Sequence, residues 1–264
     1  MMRPFDVDEF QQLLRTKWLG RHFVYMEHVG STNDVAKQIA IEGAPNGALV
    51  LAEAQSAGRG RFGRSWFSPK LTGIYASFIV RPPFLPKELL ILTIATAVGV
   101  CEGLHESTSL PVMVKWVNDL VLGGKKVGGI LTEARASQSG VEFAIVGIGI
   151  NVNTEAEHFP SELRCVATSL KEFSGKQFRR ERLLASMLAH LERVYEALLS
   201  NGFEKLRERY CQLHFAQGKL VEVTTGSGKL VGVVKGLDGR GALMLQLKGG
   251  VETAIISGTV RLLE

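Results

Sequence analysis

Residues 58 to 66, GRGRFGRSW, set Arg59, Arg61 and Arg64 among Gly58, Gly60 and Gly63, ahead of the indole of Trp66, with Lys70 just beyond. No aspartate or glutamate occurs between Ala54 and Lys87. Arginine forks match the paired oxygens of carboxylates and phosphates, glycines let a backbone approach a ligand closely, and an indole face accepts a stacked base. These residue types therefore offer capture of an anion that carries a ring. A solvated basic loop beside a core tryptophan is the alternative reading. The glycines also satisfy G-x-G-x-x-G, but a dinucleotide fingerprint needs a helix opening within the motif and an acid about 20 residues on. Here RSWFSP follows, with Trp66 and Pro69 where that helix would run, so the dinucleotide reading fails. No G-x-x-x-x-G-K-[ST] phosphate loop occurs either. With its acids absent from the local sequence, the loop is expected to repel itself when empty and to become ordered when an anion arrives.

A second set lies in KWVNDLVLGGKKVGGI, residues 115 to 130. Lys126 starts a strand that carries Gly128 and Gly129, and a rim lysine aims a point charge at a fixed place while glycines clear room beside it. By itself this is equally a hairpin with two solvated lysines. GIGIN, residues 147 to 151, ends the next strand with two glycines and Asn151, which alone could be close backbone packing. Ser31 precedes TNDVAKQIAIEG, where Val35, Ala36, Ile39 and Ala40 fall at helical spacing, so Ser31 stands at or near an N-cap whose free amides can face a ligand.

The elements that must hold these groups follow from periodicity. A short helix is expected over 7–17, a strand over 22–29, a strand over 47–54 entering the arginine loop and another over 73–81 leaving it. An apolar helix spans 87–107, and PVMVKW, DLVL, KVGGILTEARA and VEFAIVGIGINV alternate with ND, GGK and SQSG turns as a meander. Leu183, Leu184, Met187, Leu188, Leu191, Val194, Tyr195 and Leu198 keep one face of a long helix, followed by a second to about His214. Beyond Gly218, five short strands separated by GSG, DGRG, KGG and SG describe a small antiparallel barrel. The expected division is a catalytic domain over 1–216 and a barrel domain over 217–264.

A chain of 264 residues, 45% hydrophobic and 22% charged, has material for that plan. Cys101, Cys165 and Cys211 lack C-x-x-C spacing, so neither a disulfide framework nor a zinc cage is expected, and no protein metal ligands. The longest uncharged apolar run, Leu89 to Cys101, has thirteen residues, too few to span a bilayer, and MMRPFDVDEF has no signal core. A cytoplasmic protein without a membrane partner is expected. The formal charge of +5 points to an anionic ligand or partner.

Together, STN (31–33), Q-x-x-GRGRFGRSWFSP (55–69), KWVNDL (115–120), GKKVGGIL (124–131), GIGIN (147–151) and ISG (256–258) resemble the biotin protein ligases, in family order from about residue 20 to the end. The resemblance implies an α+β fold: a mixed sheet flanked by helices, of the class II aminoacyl-tRNA synthetase-like catalytic type, followed by a small SH3-like β-barrel. It implies that biotin, with ATP and Mg²⁺, becomes biotinyl-5′-AMP and is then transferred to a lysine, without a covalent enzyme intermediate. The acceptor would be the biotin carboxyl carrier protein of acetyl-CoA carboxylase or of a related biotin-dependent carboxylase.

On matching positions, Lys126, Arg59 and Arg61 would be catalytic. Ser31, Thr32, Asn33, Gln55, Arg59, Gly60, Arg61, Lys126 and Gly129 would hold biotin, and Arg61, Arg64, Trp66, Asn118, Lys126 and Asn151 the nucleotide, with Mg²⁺ held largely by phosphates and water. Val117 stands where the family usually has proline. Only about 20 residues precede the first core strand, so the winged helix of the repressor members, and with it sequence-specific DNA binding, is not expected. A lipoate-type acyl-adenylate ligase is the alternative within enzymes. A non-catalytic regulator that binds biotin or nucleic acid is the alternative from another class. The oligomeric state is left open, a homodimer included.

Overall fold

The computed structural model describes residues 3–138 and 140–263; Met1 and Met2 of the leading segment, Ser139 of the expected SQSG turn and Glu264 lie outside the described residues. A seven-stranded sheet forms the centre, from β1 (Phe23–Val29), β2 (Leu49–Gln55), β3 (Gly73–Val80), β4 (Met113–Lys115), β5 (Asp119–Leu122), β6 (Lys125–Ser137) and β7 (Gly140–Asn151), in the order β1-β2-β3-β7-β6-β5-β4. β1 and β2 run parallel, with α2 (Thr32–Ile41) as their connection. All other neighbours are antiparallel, so the sheet is mixed.

Strand alternation sorts the core onto two faces. Leu49, Leu51, Ala76 and Phe78 enter the large cluster with Leu92, Leu104, Leu184 and Leu188 of α3 (Leu89–Thr108) and α5 (Arg180–Asn201). Ala48, Val50 and Ile79 point the other way, to Ala36 and Ala40 of α2. β3 is buried along its whole length, which is why GIYASFIV reads as a nearly unbroken apolar run. α3 and α5 approach closely because Gly103 faces the backbone of Met187, where an added Cβ would lie 2.5 Å from Met187 Cα. With its preceding turn, α3 is long and apolar enough to cross a membrane by length and composition, but 67% of that stretch is buried inside the protein. The thirteen-residue run understates the helix because Glu102 and Glu106 continue it along its solvent side.

The first helix, α1 (Val7–Leu13), stops short of the expected 7–17. Leu14 turns extended, and the carboxylate of Glu192 on α5 accepts from the amides of Lys17, Trp18 and Leu19 at 2.6, 2.9 and 2.9 Å. A distant acceptor thus claims amides that a longer helix would have used. Between β7 and α5, α4 (Leu170–Ser174) and its flanks have no periodicity to read. Side chains hold them instead: Ser169 caps α4, and Asn153 bonds Phe178 in both directions.

After α6 (Glu204–Leu213), β8 (Leu220–Thr225), β9 (Gly228–Leu237), β10 (Leu243–Leu247), β11 (Glu252–Ile255) and β12 (Thr259–Leu262) make an antiparallel sheet in the order β11-β10-β9-β8-β12, around Val221, Val234, Leu243 and Val260. Trp116, buried, donates from its indole to Gly241 O at 3.2 Å, and Phe215 N donates to Val114 O at 2.8 Å, so the small sheet is keyed to β4 and the turn after it. The α+β class and the small C-terminal sheet agree with the expectation from sequence.

Glu192→Ala leaves three amides without their acceptor and should cost about 3 kcal/mol, from ~1–3 kcal/mol for each buried group left unpaired. Urea unfolding measures it. Glu196→Ala, on the exposed side of α5, is the control, with an expected loss under about 0.5 kcal/mol. Equal losses would show that the carboxylate does not hold the 17–19 turn.

Candidate active site

Ser31, Thr32, Asn33, Gln55, Arg59, Gly60, Arg61, Arg64, Trp66, Asn118, Lys126, Gly129 and Asn151 all line one cleft of about 490 Å³. The sequence reading thus names residues that the fold brings together. A smaller hollow of about 280 Å³ near the start of α5 is lined by Arg3, Arg179, Arg180 and Glu181, which are committed to ion pairs.

One end of the cleft is built on the start of α2. Gln55 Oε1 accepts from Thr32 N at 2.8 Å and from Thr32 Oγ1 at 3.1 Å, and Gln55 Nε2 donates to Ser68 Oγ at 2.9 Å. That amide braces the helix start against the chain leaving the arginine loop. Ser77 Oγ, buried on β3, lies 2.7 Å from Thr32 Oγ1 and 2.6 Å from Asn33 Oδ1. A Cβ at Gly147 would sit 2.3 Å from Asn33 Oδ1, so only glycine leaves this amide its place.

The floor is the paired backbone of β6 and β7, where Gly129 faces Gly149. Trp66 lies on it: a Cβ at Gly149 would meet its indole at 2.5 Å and one at Gly129 at 3.4 Å. Among the described residues, Trp66 Nε1 is the buried side-chain polar atom without a hydrogen-bond partner. Lys126 Nζ lies 5.4 Å from the Trp66 ring centre and 2.5 Å from Asp119 Oδ1. Its backbone is held by Val166 and Thr168, at 2.8 and 2.9 Å, which fixes the side chain at the rim. Lys125 points out and donates to Arg164 O at 3.3 Å.

The arginine loop does not stand without acids, contrary to the expectation of self-repulsion. Folding brings Asp34 and Glu133 to Arg59, at 2.6 Å and 3.3 Å. The hydrogen bond from that guanidinium holds Asp34 below the usual carboxylate range, and the same bond raises Arg59. Local sequence missed these partners because they come from α2 and β6. Arg61, by contrast, reaches Asn118 Oδ1 at 3.1 Å and Ser257 Oγ at 3.4 Å, neither an anion. Burial pushes its pKa down, and burial does the same to Lys115. The cleft is lined by Arg59, Arg61, Arg64, Lys115 and Lys126 against one carboxylate, Asp119, already paired with Lys126. Such a wall fits a polyanion.

Asn118 Nδ2 donates to Ile130 O at 2.9 Å and Asn151 Nδ2 to Thr168 O at 3.0 Å, so both amides are oriented by backbone. Asp34, Ser77, Asp119, Glu133 and the lining stretches 163–167 and 258–260 were not singled out from sequence as site residues. Asp119 and Gly258 had local signals, their places in KWVNDL and ISG. Beneath KWVNDL, buried His214 accepts from Trp116 N through Nε2 at 3.0 Å, and burial lowers its pKa to about 4.

The model of the biotin/lipoate A/B protein ligase family matches residues 25–151, and that of the biotin protein ligase C-terminal domain matches residues 218–263. The bifunctional ligase/repressor BirA of Bacillus spizizenii is 35% identical over 239 residues, covering 90% of this chain and 74% of that protein. A biotin–[acetyl-CoA-carboxylase] ligase of Paracoccus denitrificans is 32% identical over 83% of this chain and 92% of its own. Among solved structures, the biotin protein ligase of Aquifex aeolicus in complex with biotin and ATP superposes with a TM-score of 0.79 at 30% identity, over 92% of this chain and 99% of that one.

His214 sets a pH dependence. Its folded pKa, near 4, lies below the unfolded value near 6.5, so the unfolded chain binds the extra proton first; the contribution is complete above about 6.5 and lost as pH falls toward 4. His214→Gln offers Trp116 an acceptor that does not titrate. Its thermal midpoint should fall less than that of the wild type between pH 6.5 and 4, and parallel falls would remove His214 as a cause.

Proposed function

This chain belongs to the biotin/lipoate A/B protein ligase family, and from that premise we propose that its cleft joins biotin to ATP as biotinyl-5′-AMP and then passes the biotin to a lysine of a carrier protein. The observation that carries this reading is the surplus of cations over a floor of glycines, with the single lining carboxylate already paired.

In the first step a carboxylate oxygen of biotin bonds to the α-phosphorus of ATP while the bond to pyrophosphate breaks. The difficulty is bringing two anions together, and preorganised cations lower it most where charge moves from the carboxyl to phosphorus. Lys126 supplies a point charge at that place, oriented by Asp119. Arg61 brings a guanidinium whose buried charge has no carboxylate partner, so an arriving phosphate improves its surroundings. Arg59 acts through the root of the loop, clamped by Asp34 and Glu133. Ser31, Thr32, Asn33, Gln55, Gly60 and Gly129 form the biotin end, while Arg64, Trp66, Asn118 and Asn151 form the nucleotide end. Mg²⁺ enters as the counterion of ATP, since the lining offers it no uncommitted carboxylate.

In the second step the neutral amine of the acceptor lysine attacks the carbonyl carbon of the mixed anhydride, an amide forms, and AMP leaves. Until then the loop keeps water from an anhydride bond that hydrolyses readily. The name of the Paracoccus relative supports the biotin carboxyl carrier protein of acetyl-CoA carboxylase, or a related carboxylase, as acceptor. The reading carries with it a catalytic part over 1–216, a barrel over 217–264 and a cytoplasmic setting.

Purified chain incubated with MgATP and either biotin or lipoate should yield the biotinyl adenylate by mass spectrometry; a lipoyl adenylate alone would overturn the substrate. In the same assay Lys126→Ala should lose roughly 10²-fold in adenylate formation, the scale of one preorganised donor. Lys125→Ala, on the opposite face of the strand, should stay within about twofold. Equal losses would contradict the assignment of Lys126.

A further inference from the structure

Three large apolar side chains stand exposed around the mouth of the cleft. Phe62, at the tip of the arginine loop, is 62% exposed, Val166 58% and Ile256 77%. Phe62 and Val166 line the cleft itself, and Ile256 precedes Ser257, whose hydroxyl accepts from Arg61 beside Phe62. They come from the loop, from the stretch that pairs with Lys126, and from the small C-terminal sheet. No single element therefore explains their exposure as a local accident of folding.

Phe62 carries a second observation. Its φ is 59°, in the left-handed region that a bulky non-glycine residue rarely adopts. Its ring is not repaid by burial. The ring stands outward with the Arg61 guanidinium 4.8 Å from its centre. A bulky residue held in this conformation and left exposed beside the cleft is a feature to be explained by function.

Cations stand exposed on the same rim. Arg64, which lines the cleft, is exposed and forms no ion pair among the described residues. The Arg164 side chain donates only to the carbonyls of Phe159 and Glu157, at 3.0 and 2.9 Å. A partner that fits this rim presents an apolar patch set among carboxylates.

We propose that Phe62, Val166 and Ile256, flanked by Arg64 and Arg164, form the docking surface for the acceptor protein, which lays an acidic, partly apolar face on the mouth so that its lysine enters the cleft. The proposal rests on the ligase reading. It is argued from continuity with the cleft in which the second step occurs and from charge complementarity, and it gives the C-terminal sheet a part in transfer. Small nucleophiles need no such surface.

The test separates the two steps. Ile256→Asp places a carboxylate where the acceptor's own acids approach, on a side chain too exposed to matter for folding. Adenylate formation from biotin and MgATP should be unchanged, as should its capture by hydroxylamine. The KM for the biotin-accepting domain of a carboxylase should rise about tenfold. Arg164→Glu, between the lining residues Leu163 and Cys165, should raise that KM too, and should weaken its dependence on salt, since charge at the rim is screened. An acceptor KM within about twofold of the wild type in both variants would overturn the surface, as would an effect confined to self-association in sedimentation, which would make it a contact between copies of the chain. Absence of adenylate from the wild-type chain would instead sink the ligase reading, and this surface with it.

Discussion

Cations gathered on one wall of a cleft repel one another, and the fold must hold them against that repulsion before any ligand arrives. Here Arg61, Arg64, Lys115 and Lys126 share a wall with one carboxylate, Asp119. Arg61 is fixed without an opposing acid, whereas Lys126 is paired with Asp119. Lys126 is held by backbone bonds to Val166 and Thr168, and Arg61 by Asn118 and Ser257. The desolvation that lowers Arg61 and Lys115 measures what this arrangement costs the empty protein. A bound anion would offset that cost by supplying the opposite charge, which is the physical basis for treating the cleft as a site rather than a basic surface.

The rest of the molecule can be understood from this constraint. A floor without side chains, Gly129 against Gly149, lets the ligand lie close beneath the cations, and the antiparallel pairing of β6 with β7 is what keeps the two glycines opposite each other. The α2 start is braced by Gln55 and Ser77 so that its polar atoms face the other end of the same floor. The Trp116 contacts to His214 and Gly241 key the small C-terminal sheet to the turn that carries Asn118. That sheet then supplies Ser257 to the loop. Two structural units therefore meet on one guanidinium.

Much of this was legible from the chain alone, for definable reasons. Strands and the large helices announce themselves by periodicity, and GRGRFGRSW, KWVNDL and GIGIN carry their residue types locally, so their members could be named before their meeting place was known. What remained hidden depends on pairs distant in sequence. Asp34 and Glu133 reach Arg59 from elements 25 and 74 residues away, and no local reading of an acid-free loop could supply them. Glu192 ends α1 early from 173 to 175 residues away. The stretch from Val152 to Arg179 is held by individual side-chain and backbone bonds rather than a repeating face, so it offered nothing to periodicity, although Val166 and Ala167 prove to line the cleft.

The central claim is that the loop's unpaired charge is complemented by the adenylate, and limited trypsin digestion reads it directly. Cleavage after Arg61 and Arg64 should slow sharply when biotin and MgATP are added together, and less with biotin alone, which brings only a carboxylate. Cleavage after Arg240, in a turn of the C-terminal sheet, and after Lys229, at the start of β9, neither of which lines the cleft, reports any general stabilisation. Selective protection of the loop is the expected result. Unchanged cleavage there, with the adenylate confirmed in the same tube, would contradict the account.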